Sequence, residues 1–182
     1  ALAADGSTLQ PLQPSLALLK VAKDIGAISD FLIIASNTPH LFQREIEEAS
    51  GRTVLSMVDV TMAEVQRRQP KKVGVAAVGE ALKQGLYQKP LEAAGIPHQV
   101  ILESMSRELD KSIFALMEGS DAAGLGEPAR EAVAYLRSRG ADAIILGCTE
   151  IPLLIWSECE REDIINPSQL IAEAAVRYAM EK

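Results

Sequence analysis

A chain of 182 residues, 48% apolar and only 4% aromatic, is long enough to bury a real core of Val, Ile, Leu and Ala. Its formal charge of −7 argues against a nucleic-acid or anionic-membrane surface, yet allows a small anionic substrate held by hydroxyls and helix N-termini. Two cysteines without a spacing pattern point to a reducing compartment, hence the cytoplasm, and no run suits a membrane span or a signal peptide.

Residues 1–15 contain Gly, Pro, Ser and Gln without periodicity, which predicts a loop at the start of a fragment or processed product. A first helix follows over about 16–23, with Ser15 as N-cap and Gly26 past its end. Residues 30–35 read as a strand, 39–50 as a helix ended by Gly51, 53–58 as a second strand and 61–68 as a helix. Gln69-Pro70-Lys71-Lys72 is the clearest internal boundary, a polar turn with a helix-stopping proline. Beyond it come a strand at 73–78, a helix over 80–94 and a strand at 99–102. Helices over 106–118 and 127–139, strands at 143–147 and 164–166, and a closing helix over 168–180 complete the pattern. Strands alternating with helices of this length predict parallel sheets.

Two segments say the same thing. SDFLIIASNTPH begins at Ser29 and ADAIILGCTEIP begins at Ala141. In register, Asp30 faces Asp142, the apolar runs coincide, Ala35 faces Gly147 and Ser36 faces Cys148. An apolar run bounded by turn chemistry reads as a strand buried on both faces, and open α/β sheets bind ligands beyond such strand ends. The repeat therefore predicts one site with two opposed groups, Ser36 and Cys148.

The pair SNTPH and GCTEIP resembles the signature of the aspartate/glutamate racemase superfamily, the cofactor-independent amino-acid racemases. KKVGVAAVGEALKQGLYQKPLEAAGI and INPSQLIAEAAVRYA resemble the same family, so the likeness runs from Ser15 onward. It implies an α/β fold of two pseudo-symmetric halves, each a parallel sheet flanked by helices, with the site in the cleft between them. Residues 1–69 with 163–182 would form the first half, lacking its first strand, and residues 70–162 the second. It also implies proton transfer without pyridoxal phosphate or any other cofactor, a small carboxylate or amino-acid substrate, and homodimers.

Inverting an α-carbon needs an acid on one face and a base on the other, and a cysteine whose pKa is lowered at a helix N-terminus suits both roles. Cys148 precedes a helix start with Thr149 as its cap and Pro152 in its first turn; a small buried residue at a strand end is the plain alternative. Ser36 departs from the family pattern, which has cysteine there. An unactivated serine is a poor base, so a symmetric two-thiol mechanism is excluded; Ser36 is either a weaker acid/base partner or a carboxylate ligand. Asn37 and Thr38 match family positions that hold the substrate carboxylate, and they could also cap the helix opened by Pro39. His40 could orient the Ser36 hydroxyl or be structural. Glu150 could steer a proton or bind an ammonium group, or simply favour a first helical turn.

Ala77 and Ala81 stand near positions where the family carries threonines, which puts aspartate or glutamate specificity in doubt. Tyr87 is retained, although an aromatic at helical spacing suits a core. The family's opening strand and glycine-rich loop have no counterpart, so either they precede Ala1 or the first half is incomplete. Cys159 lies among carboxylates and reads as non-catalytic; His40 and His98 lack metal-ligand spacing; nucleotide-binding patterns are absent. The expected function is a racemase-like isomerase. Its alternatives are a single-Cys decarboxylase or isomerase of the same superfamily, and a non-catalytic carboxylate-binding protein.

Overall fold

A computed structural model describes residues 12–181. The order is α1 (Leu16–Gly26), β1 (Leu32–Ile33), a 3-10 turn (Thr38–Phe42), α2 (Gln43–Ser50), β2 (Val54–Leu55) and α3 (Met57–Arg68). Then follow β3 (Val73–Ala76), α4 (Gly79–Lys83), α5 (Gln88–Ala93), β4 (His98–Val100), α6 (Glu103–Met117) and α7 (Glu127–Ser138). β5 (Ala143–Leu146), α8 (Ile151–Leu154), a 3-10 turn (Trp156–Glu158), β6 (Ile164–Ile165) and α9 (Pro167–Met180) close the chain. Most of the expected opening loop lies outside the described residues; 12–15 have no regular structure.

The sheets are parallel and helix-flanked, the α/β architecture anticipated. β4-β3-β5-β6 form a four-stranded sheet, with Val73 opposite Ala143 and His98, and Ile144 opposite Ile164. β3 and β5 are its centre because all four residues of each are buried on two faces. Ala76, Ile144 and Leu146 pack with Leu109, Ile113, Val133 and Leu136 of α6 and α7. Val73, Val75 and Ile145 pack the opposite way, against Met62 and Val65 of α3 and Leu91 of α5. Gly74 lets α7 approach, since a Cβ there would lie 3.0 Å from that of Leu136.

The smaller sheet pairs Leu32 with Val54 and Ile33 with Leu55. Its core joins Ala22 of α1, Ile46 of α2 and Val54, with Leu32 and Phe42 against them. The closing segment spans both sheets: β6 pairs with β5, while α9 packs on α3 and β2.

Three of the departures from the sequence expectation have a local cause. The strand expected over 53–58 ends at Leu55, because the Ser56 hydroxyl accepts from the Asp59 N–H at 3.1 Å and starts α3 four residues early. The helix expected over 80–94 splits into α4 and α5, since Gly85 adopts φ +70°. Gly26 is the last residue of α1, where a Cβ would lie 2.4 Å from the Ser50 carbonyl oxygen. The turn at residues 69–72, expected as a boundary, is held down: Asp142 accepts from the Lys71 and Lys72 N–H groups at 3.0 and 2.9 Å. Those bonds, Lys72's first, hold its carboxyl below the ordinary carboxylate range. Among the described residues no helix is long and apolar enough to cross a membrane.

Candidate functional site

The turn after β1 carries Ser36, Asn37, Thr38 and His40; the turn after β5 carries Cys148, Thr149 and Glu150. One side chain reaches both. Tyr87, fully buried between α4 and α5, donates its phenolic O–H to Asn37 Oδ1. A Cβ at Gly147 would lie 3.3 Å from Tyr87 Cε2 and 2.8 Å from the Ala77 Cβ, so a larger residue directly before Cys148 would force a shift. Tyr87 thus bonds the first turn and stands beside the second.

Asn37 is 4% exposed, and its Nδ2 has no partner among the described residues. An orphaned buried amide N–H is costly and fits a site that accepts an anion. Asn37 sits at the N-cap of the 3-10 turn yet makes no capping hydrogen bond, because Tyr87 takes its oxygen. The expected capping role is therefore absent.

His40 is held on both ring nitrogens. The Met57 N–H donates to Nε2 at 3.0 Å, so Nδ1 carries the proton and faces the Ser36 and Asn37 carbonyls at 2.8 and 3.2 Å. Burial keeps its pKa below the ordinary 6.5. This is the structural role: the ring is bonded to the Ser36 carbonyl, not poised to deprotonate the hydroxyl. Thr61, fully buried, donates to the Met57 carbonyl at 2.7 Å. The first turn is therefore clamped by His40, bonded to the start of α3, on one side and by Tyr87 on the other. Ser36 and Thr38 are half-buried at its rim.

Cys148, Thr149 and Glu150 are also half-buried. The Cys148 thiol donates to Glu150 Oε2 at 3.0 Å, and the Thr149 hydroxyl donates to the same oxygen at 2.8 Å. Burial, together with that bond to Glu150, pushes the thiol up to about 12. Asp110 of α6 adds a further negative field there, and its own carboxyl is raised by burial. This corrects the expectation of a pKa lowered at a helix N-terminus: α8 has four residues, Glu150 and not Thr149 is its N-cap, and the cap makes no side-chain bond. Cys148 is thus held as a protonated thiol among carboxyls, with almost no thiolate present at neutral pH.

Ala77 and Ala81 are buried and supply no donor. Tyr87, Thr61 and Asp110 are the residues that sequence reasoning missed as parts of the site. Tyr87 had a signal, since a buried tyrosine hydroxyl usually finds a partner. Cys159 lies apart, its Sγ near the Pro152 and Ile155 carbonyls. Among the described residues no group of three or more His, Cys, Asp or Glu side chains could hold a metal. A cavity of about 970 Å³ borders Thr149, Trp156, Arg68 and Ser168, but Ser36, Asn37 and Cys148 do not line it.

A family model described as Asp/Glu/Hydantoin racemase matches residues 4–176. The chain is 24% identical over 147 residues to the broad specificity amino-acid racemase RacX of Bacillus subtilis, a match covering 81% of this chain and 63% of that protein. It is 28% identical over 159 residues to the glutamate racemase of Aquifex aeolicus, covering 84% of this chain and 59% of that one. The chain thus spans less than two thirds of either relative. The structure of an aspartate racemase homologue from Pyrococcus horikoshii superposes with a TM-score of 0.72 at 26% identity, over 90% of this chain and 73% of that one. A glutamate racemase from Francisella tularensis, solved with D-glutamate, shares the fold at TM-score 0.69 and 20% identity, over 91% and 62% of the two chains. With the family model matched along nearly its whole length, the chain belongs to the Asp/Glu/Hydantoin racemase family.

Proposed function

We propose that this protein is a cofactor-independent isomerase of the amino-acid racemase type, moving a proton at the carbon next to a substrate carboxylate. The observation that supports this most is the placement of Tyr87, bonded to Asn37 after β1 and standing beside Gly147 before Cys148. It draws the two repeated strand ends toward one place, beside a buried amide N–H in need of an acceptor. In this reading the Asn37 amide, with Thr38 and Thr149, holds the carboxylate. Ser36, having lost its hydroxyl proton to solvent, is the weaker base that takes the α-proton on one face, while the Cys148 thiol delivers its proton to the other. Glu150, bonded to the thiol, passes a solvent proton back to the thiolate left behind. The halves 1–69 with 163–182 and 70–162, a homodimer and a cytoplasmic site of action belong to the same proposal.

The raised Cys148 thiol favours a second reading within the family. A thiol pushed up to about 12 is almost wholly protonated at neutral pH, so it has a proton to give a strongly basic carbanion but almost no thiolate to take one. A one-sided site would protonate the carbanion left by decarboxylation or isomerisation and need no base at Ser36. Incubation with D- and L-aspartate and glutamate in D2O, and with malonate-type acids, separates the readings. Inversion supports the first and CO2 release the second. Binding without either describes a carboxylate-binding protein and overturns both.

A further inference from the structure

We infer that Tyr87 is the positioning residue that sets which way the Asn37 amide faces, and so whether the site presents N–H donors or a carbonyl to its ligand. The inference rests on the carboxylate-holding role proposed for Asn37. A primary amide has two nearly isosteric orientations, and its hydrogen bonds choose between them. Here the choice is made from behind. The Tyr87 O–H donates to Oδ1, and that leaves Nδ2 as the buried atom without a partner.

The phenol is itself well held. Tyr87 has no exposed surface, and its ring edge lies 3.3 Å from where a Cβ on Gly147 would stand. The phenol stays protonated because burial raises its pKa above the ordinary 10.0. Turned over, the amide would aim a carbonyl at a carboxylate, a like-charged contact in place of a charge-assisted bond. The same ring sets the spacing between the two turns, so orientation and position come from one residue. Tyr87 touches no reacting atom in this scheme; it acts through Asn37.

The test compares wild type, Tyr87→Phe, Asn37→Ala and the double variant, each 15N-labelled, with L-aspartate as the probe. Phenylalanine keeps the ring packing against Gly147 and removes only the hydroxyl. In the free protein, the Asn37 side-chain amide should give one pair of resonances in wild type. It should give a shifted or doubled pair in Tyr87→Phe, with the backbone amides of β3 and β5 unmoved. L-aspartate should bind Tyr87→Phe about tenfold more weakly than wild type, the scale of one hydrogen bond lost to a charged group. Tyr87→Phe should cause no further weakening in the Asn37→Ala background. An unchanged amide pair in Tyr87→Phe, or an equal loss of affinity with and without Asn37, overturns the inference. If wild type binds no aspartate, the carboxylate reading of this site fails, and the amide pair of the free Tyr87→Phe protein alone decides the positioning role.

Discussion

The state of the Cys148 thiol decides which chemistry the site can perform, and Glu150→Gln probes it. The thiol is pushed from 9.0 up to about 12, chiefly by burial and then by its bond to Glu150. At pH 8 about one molecule in 10⁴ would carry the thiolate, against about one in ten for an unperturbed thiol. Alkylation requires the thiolate, so its pH profile reads the pKa directly. The assay is iodoacetamide labelling followed by mass spectrometry from pH 7 to 11, in a Cys159→Ala background. Comparing pH profiles, and not absolute rates, removes the effect of limited access. Wild type should show labelling that still climbs at pH 11. Glu150→Gln removes the acceptor and its charge and should move the profile down in pH. Because burial is the largest cause, the midpoint should stay above 9. A wild-type midpoint at or below 9, or no movement in Glu150→Gln, would refute this account of the thiol.

Three further outcomes follow from the same geometry. Gly147→Ala places a Cβ 2.8 Å from that of Ala77 and 3.3 Å from Tyr87 Cε2. Overpacking, partly offset by reduced freedom of the unfolded chain, should cost about 1–2 kcal/mol, or roughly 2–8 °C in Tm by scanning calorimetry for a chain of this size; an unchanged Tm contradicts the packing. His40 has a depressed folded pKa, so its contribution is present above the unfolded value of 6.5 and is lost as pH falls below it. Wild-type Tm should therefore fall from pH 6.5 to 5 more steeply than that of His40→Asn, which does not titrate; equal slopes would contradict the buried neutral ring. Ser36→Cys adds a second thiol and should raise the inversion rate about 10²-fold or more, measured by chiral chromatography. No gain would mean that Ser36 does not face the reacting carbon.

The parts of the fold legible from sequence are those set by local pattern. Val73–Ala76 and Ala143–Leu146 read as buried strands because an unbroken apolar run allows little else. The start of α3 was legible in principle: Ser56 and Asp59 form a capping pair, masked by the strand-like Val54-Leu55 and Val58 around it. The break between α4 and α5 turns on the positive φ of Gly85, a choice that the surrounding helix formers conceal. At the site, the repeat exposed Ser36 and Cys148. The thiol's environment stayed hidden, because it depends on Glu150 folding back and on Asp110 arriving from α6. The bonds joining Asn37 to Tyr87, and His40 and Thr61 to Met57, connect three separate segments, and no spacing along the chain records them.

The most direct test of the central claim is proton NMR in D2O of D- and L-aspartate and glutamate with this protein, with Cys148→Ser as the control. Loss of the α-proton signal with inversion, present in wild type and absent in Cys148→Ser, is the result that the proposed proton transfer predicts. Exchange that persists in Cys148→Ser, or no exchange with any of the four in a protein that binds them, would contradict it.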